Sequence, residues 1–171
     1  MKATGVVRRI DDLGRIVIPK EIRRNLKISE GDSLEIFVDN SDIILKKYCV
    51  LDNMLDISQK LTETFYKIYK KNIIITDKEK VISASKMLEK NYLNLGITQN
   101  IKDYIDNRSE MFVNDSNIVI GGKLESNYFM IPIIATSDAV GSIILIDNDI
   151  SEYDKDLIRL INAILVKNIE E

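Results

Sequence analysis

The sequence predicts an α+β protein in two parts: a small β-rich N-terminal domain completed by dimerisation, then a larger domain with a central antiparallel sheet flanked by helices. Three observations predict it. Apolar residues alternate with strand period over the first 50 residues, turn to helical spacing over 51–71, and later form β-branched runs that end in another helical pattern. Charge is uneven, with formal values of +5 over residues 1–27, −3 over 28–50 and −5 over 51–171. About 50 residues of short strands cannot bury much core alone, and the single cysteine leaves no intrachain disulfide to compensate. Exchange of strands between two chains, completing a shared barrel, is the expected remedy.

The elements of residues 1–50 follow in order. Ala3–Ile10 is β-branched and leads into Asp12-Leu13-Gly14, a turn signal in which Gly supplies a positive φ. Arg15–Ile18 is a second strand, ended by Pro19, which also suits a helix start. Lys20–Leu26 then carries Ile22 and Leu26 on one face and leaves Arg23 and Arg24 exposed. Asp11 or Asp12 is placed to fix the preceding turn by side-chain to backbone bonding. After the turn Ser29–Asp32, Leu34, Ile36 and Val38 alternate with Glu35, Phe37 and Asp39; Asn40-Ser41-Asp42 turns, and Ile43–Lys47 returns. Cys49, between Tyr48 and Val50, reads as a small buried or half-buried hydrophobe.

Residues 51–71 place Leu51, Met54, Leu61, Phe65 and Ile68 at a/d-like spacing, with Ser58 in the one polar gap. Three heptads are short for an autonomous coiled coil, so a helix that packs on the next domain is expected. Asn72–Thr76 and Val81–Ala84 read as paired strands across Asp77–Lys80. Lys86–Asn107 reads as mostly helical with a break near Gly96. Ile118–Ile120, Tyr128–Ala135 and Ala139–Ile146 read as strands, the last two joined at Thr136-Ser137-Asp138. Ser151 and Asp154 have capping-box spacing and open a helix over 151–169, with Leu157, Leu160, Ile161, Ile164 and Leu165 on one face. The two bracketing helices should lie together. The domains are therefore expected at 1–50, 51–71 as a linking or packing helix, and 72–171.

Composition narrows the chemistry. With 45% apolar and 30% charged residues the chain has the balance of a soluble globular protein. Neither a bilayer-spanning apolar stretch nor a signal-peptide core is present, so a cytoplasmic protein without membrane contact is expected. The chain has no His and only Cys49, which removes His-based nucleophilic machinery and CxxC metal sites. An enzyme ranks last among the readings. No catalytic residue, cofactor or metal site is expected. Asp147, Asp149, Asp154 and Asp156 are better explained by helix capping than by a cation, and Gly121-Gly122 by a turn rather than a ligand cradle. Five of the eight bases in residues 1–27 are arginines, suited to bidentate phosphate and guanine contacts, which favours a nucleic-acid or anion partner for this segment over a solvated charged face.

The run Thr4-Gly5-Val6-Val7-Arg8-Arg9-Ile10-Asp11-Asp12-Leu13-Gly14-Arg15-Ile16-Val17-Ile18-Pro19, followed by Lys20-Glu21-Ile22-Arg23-Arg24, closely resembles the AbrB-type swapped-hairpin transition-state regulators. Gly31-Asp32, Leu34-Glu35-Ile36 and Ile43–Tyr48 continue the match. The resemblance implies a DNA-binding transcription regulator, tied to sporulation, whose barrel is built from two interleaved chains. It implies that Arg8, Arg15, Arg23 and Arg24 contact DNA, with Arg9 as a fifth. The layout after residue 50, and the segment Tyr104–Ser109, resemble a GAF-like domain. That implies small-molecule sensing, although no residue identifies a ligand; a ligand-free oligomerisation role is the alternative. Helices 51–71 and 151–169 from two chains could then join homodimers, formed through residues 1–50, into a tetramer. The competing function is an antitoxin, in which the swapped-hairpin fold holds a partner toxin.

Overall fold

The computed structural model describes residues 5–48, 51, 54–114, 116–122 and 127–170; Cys49, whose burial the sequence anticipates, lies outside them. The chain divides into two compact units, Met1–Tyr48 and Cys49–Glu171.

In the first unit, helix α1 (Lys20–Asn25) precedes strands β1 (Leu34–Asp39) and β2 (Asp42–Lys47). β1 and β2 pair antiparallel, with Ile36 opposite Leu45 and Val38 opposite Ile43. Asn40, at the hairpin tip, takes a left-handed φ of 53°, which Asn tolerates. The strands expected at 3–10 and 15–18 join no ladder among the described residues of one chain. Between them the loop is closed by the Asp11 N–H on the Arg15 carbonyl (3.1 Å) and the Gly14 N–H on the Asp11 carbonyl (3.0 Å). Gly14 has φ +75°, which is why this turn takes Gly.

The second unit is a three-layer α+β sandwich. Its antiparallel sheet runs β4-β3-β7-β6-β5, comprising β3 (Asn72–Asp77), β4 (Val81–Ala84), β5 (Met111–Val113), β6 (Tyr128–Ala135) and β7 (Asp138–Ile146). One sheet face, with Ile73, Ile75, Phe129, Ile131, Ile143 and Leu145, packs under α2 (Leu55–Tyr69) and α5 (Glu152–Glu170). The two bracketing helices do lie together. The other face, with Ile74, Met130, Ile144 and Ile146, is covered by α3 (Glu89–Tyr92), α4 (Gln99–Asp106) and the extended residues Ile97, Ile118 and Val119. Alternation along β3, β6 and β7 thus feeds two cores, and their near-continuous apolar runs are what two buried faces require.

The structure corrects several expectations. Little of Lys86–Gly96 is helical, because 94–97 lies alongside the β3–β4 turn: the Asn94 N–H meets the Val81 carbonyl (2.9 Å), and the Ile97 N–H that of Glu79 (2.9 Å). Ile118–Ile120 makes a single bridge, Ile97 to Val119, instead of a strand. Strand β5, three residues long, has no counterpart in the sequence pattern. Ile68 on α2 and Leu160 and Ile164 on α5 are exposed, because each helix buries only a narrow stripe: Ser58, Thr62 and Phe65 on one, Asp154, Ile158, Ile161 and Leu165 on the other.

The β6–β7 turn is unusual in its residues. Thr136 (φ 49°) and Ser137 (φ 68°) both sit in the left-handed region, where Asn-Gly is the ordinary choice. Two tertiary bonds replace turn propensity: Glu170 Oε1 accepts the Thr136 N–H (3.0 Å), and Arg108 Nη2 donates to the Ser137 carbonyl (2.9 Å).

The capping box opens α5 as its spacing implies. Asp154 Oδ2 accepts from the Ser151 N–H (2.8 Å), and Ser151 Oγ from the Asp154 N–H (3.3 Å). Lys71 Nζ reaches the same carboxylate (2.9 Å) and the Asp149 carbonyl (2.7 Å), with Asp147 at 3.8 Å. An internal lysine therefore sits among these acids, while Asp156 pairs with Arg159 (2.8 Å). Burial works to raise the Asp154 pKa, but the Ser151 and Lys71 bonds outweigh it and hold it below the ordinary 3.8. A depressed folded pKa contributes stability that is present above the unfolded value and lost as pH falls through the folded one. The melting temperature of the second unit should accordingly fall with acid below about pH 3.8. Asp154→Asn should be less stable at neutral pH and show a flatter acid limb; an unchanged limb in thermal denaturation would remove this pair from the explanation.

Candidate nucleic-acid interface

The five arginines lie on three segments of the first unit. Arg8 and Arg9 are exposed on the extended stretch before the loop, Arg15 is exposed just after it, and Arg23 and Arg24 occupy the last turn of α1. Arg24 is exposed but Arg23 is half-buried, contrary to the sequence expectation. The chain leaving α1 folds back there, with the Ile28 N–H bonding the Arg23 carbonyl at 2.7 Å. α1 buries none of its residues fully. Lys47 helps to set its attachment to the hairpin, donating to the Lys27 carbonyl (3.2 Å) and pairing with Asp32 (3.0 Å), which also accepts the Ser29 N–H (2.7 Å). By residue type Lys47 reads as a solvated charge; its partners are apparent only from the fold.

Of the two candidate turn-fixing acids, Asp11 is the one engaged. Its Oδ1 accepts the N–H groups of Leu13 (3.1 Å) and Arg15 (2.7 Å), and its Oδ2 accepts Arg15 Nε (2.8 Å). These bonds, the Arg15 backbone N–H foremost and its side chain next, hold the Asp11 carboxyl below its ordinary value of 3.8. Arg8, Arg9, Arg23 and Arg24 make no ion pair with another described residue, so four permanently charged forks are open to an anionic partner.

The same unit exposes much apolar surface. Register places Ile36, Val38 and Ile43 on one face of the hairpin, and all three are exposed. Val7 is 89% exposed, and Ile10, Leu13, Ile16 and Val17 are exposed as well.

In the second unit, Thr98, Gln99, Asn100, Ser116 and Asn117 line a polar cavity of about 380 Å³ at the start of α4. Thr98 is held there by its N–H on the Ile118 carbonyl (2.9 Å) and its Oγ1 on that of Asn117 (3.0 Å). The lining offers amide and hydroxyl groups but no charge. Gly121 (φ +77°) and Gly122 form a turn bonded back to Val119. Among the described residues no cluster of three or more His, Cys, Asp or Glu is disposed to hold a metal, and no helix is long and apolar enough to cross a membrane.

Comparison with known proteins places both units. Residues 53–170 match the family described as stage V sporulation protein T C-terminal, transcription factor, and residues 7–48 match the bacterial antitoxin family MazE, described as antidote-toxin recognition. The chain is 37% identical, over all of both chains, to stage V sporulation protein T of Bacillus subtilis (strain 168). It is 65% identical over 48 residues to the transition state regulatory protein AbrB of the same organism, covering 28% of this chain and 50% of that protein. In fold, 72% of the chain superimposes on 83% of the GAF domain from an Acinetobacter phosphoenolpyruvate-protein phosphotransferase, with a TM-score of 0.56 and 8% identity. The second unit thus has the GAF fold.

Proposed function

The chain belongs to the stage V sporulation protein T family of transcription factors, and from that premise we propose how it engages DNA. It is a DNA-binding regulator of the AbrB type acting on sporulation genes in the cytoplasm. Two chains interleave residues 5–48, supplying each other's missing strand neighbours and covering the apolar face. The single observation that carries this is the pairing of bare arginines with bare Ile, Val and Leu side chains on one 48-residue unit.

Burying each of Val7, Ile10, Val17, Ile36, Val38 and Ile43 contributes about 1.5–3 kcal/mol. Twofold symmetry doubles that burial, and it is what association and the ordering of the exchanged strands draw on. Symmetry also doubles Arg8, Arg9, Arg15, Arg23 and Arg24 into an extended basic surface. Such a surface fixes the protein on phosphates and senses groove shape, and α1, at six residues, is too short to serve as a recognition helix.

The second unit joins two dimers into a tetramer through the exposed Leu55 and Ile68 of α2 and Leu160 and Ile164 of α5. A small polar molecule at the Thr98–Asn117 cavity could then reset the spacing of the two DNA-binding dimers, which decides which paired sites are engaged together. Sedimentation equilibrium of the whole chain should give dimers or tetramers; a folded monomer at micromolar concentration would contradict the shared barrel.

The match of residues 7–48 to an antitoxin family carries a second reading, in which the barrel holds a toxin. It fits less well, because the described residues of the second unit form a packed GAF fold instead of a wrapping tail. Failure to bind any duplex at low salt, together with a co-purifying small toxic protein, would favour it.

A further inference from the structure

We propose that Asp11 is a positioning residue for DNA recognition: it pins the Arg15 guanidinium by its Nε edge, trading general phosphate attraction for discrimination between sequences. The inference rests on the reading that Arg15 faces DNA.

Three bonds converge on one carboxylate. Oδ1 takes the N–H groups of Leu13 and Arg15, so Asp11 organises the loop backbone from which Arg15 emerges. Oδ2 takes Arg15 Nε at 2.8 Å, so the same group holds the head of that side chain. Backbone bonds between Asp11 and Arg15 and between Gly14 and Asp11 close the loop beneath them. The neighbouring Asp12 is exposed and has no comparable bond. The Arg15 side chain remains 70% exposed with its Nε edge occupied, which leaves its terminal nitrogens to present outward.

A free arginine on a turn can reorient to meet almost any phosphate. A guanidinium held at Nε offers its remaining donors in one plane and direction, and meets only those grooves or phosphates that match. The adjacent carboxylate also cancels part of the positive charge, lowering attraction to any duplex. Specificity is a difference of affinities, and it is the fixed orientation that lowers the weaker affinity more than the stronger. The depressed pKa of Asp11 keeps that charge in place.

Asp11→Asn separates the two jobs. Its amide oxygen still accepts the two backbone N–H groups, while its NH2 cannot accept from Arg15 Nε. Asp11→Ser is the second variant, since a hydroxyl also closes such turns but has no second oxygen. Fluorescence anisotropy of the full chain, on an A·T-rich and a mixed-sequence duplex across a salt series, is measured for wild type, both variants, Arg15→Ala and the Asn/Ala double variant. Asp11→Asn is expected to raise affinity for the weaker duplex roughly three- to tenfold, to steepen the salt slope by about two units (one per chain), and to narrow the ratio between duplexes. In the Arg15→Ala background the narrowing should vanish. An unchanged ratio, or an equal narrowing with and without Arg15, in variants with wild-type circular dichroism, would overturn the positioning role. Undiminished binding by Arg15→Ala would overturn the contact itself and the positioning with it.

Discussion

Arg23→Ala and Arg24→Ala should each weaken duplex binding by roughly tenfold to a hundredfold at moderate salt, and flatten the salt slope, because each substitution would remove two cations from the proposed two-chain surface. Every phosphate that goes unneutralised should reduce the slope by about 0.9. The fold should survive, since α1 buries none of its residues fully. The two substitutions need not be equal. Arg24 is exposed, so its replacement removes charge from the surface and little else; Arg23 is half-buried, and a small drop in thermal stability accompanies its replacement. Lys60→Ala on α2, exposed and in the other unit, is the matched control that should leave both slope and affinity unchanged. Anisotropy titration checks the affinities and circular dichroism the fold. Wild-type affinity in both arginine variants would move the DNA surface away from α1.

The largest stability effect is expected at Gly141. A Cβ there would lie 2.0 Å from the Thr76 carbonyl oxygen and 2.8 Å from Leu51 Cδ1. The first of these neighbours is backbone and cannot rotate away, so β7 would have to part from β3 next to the irregular pairing of both strands, at Ile75–Thr76 and Ile133–Ile134. Leu51, fully buried over the same spot, would also be displaced from the α2–α5 core. Overpacking of this kind costs about 3 kcal/mol. For a unit of this size that lowers the melting temperature on the order of 10 °C. Gly121→Ala, at a turn where an added Cβ meets nothing within 4 Å, should lose less, through its positive φ alone. Differential scanning calorimetry distinguishes the two; equal losses would mean that the close approach at Gly141 is absorbed elsewhere.

What the sequence makes legible is whatever depends on residue type and period. β3, β6 and β7 announce themselves as long β-branched runs, and α5 by its Ser151–Asp154 box, because these signals are local. Residues 94–98 and 118–120 escape it, since their conformation is set by bonds to Val81, Glu79 and each other across the fold. β5 is too short to show a period. Its strand state comes from pairing with β6 and from its place beside Phe129, where Lys155 and Arg159 of α5 stack on the ring while Arg159 holds Glu110 at 2.7 Å. Helix capping accounts for Asp154 among the acids at 147–156 and is legible in the sequence; that Lys71 reaches Asp154 and Asp147, and Arg159 pairs with Asp156, is apparent only from the fold. In the candidate interface the arginines are visible as a charge cluster. The choice of Asp11 over Asp12, the partial cover of Arg23 and the structural use of Lys47 all depend on where the chain turns back on itself, which no spacing rule records.

The salt dependence of wild-type binding tests the central claim most directly. If two interleaved chains present Arg8, Arg15, Arg23 and Arg24 together, log K against log salt for the full chain on a B-form duplex should fall with a slope of roughly −7. A slope nearer about −3.6, as one chain's four arginines would give, or no binding at low salt, would contradict a shared two-chain DNA surface.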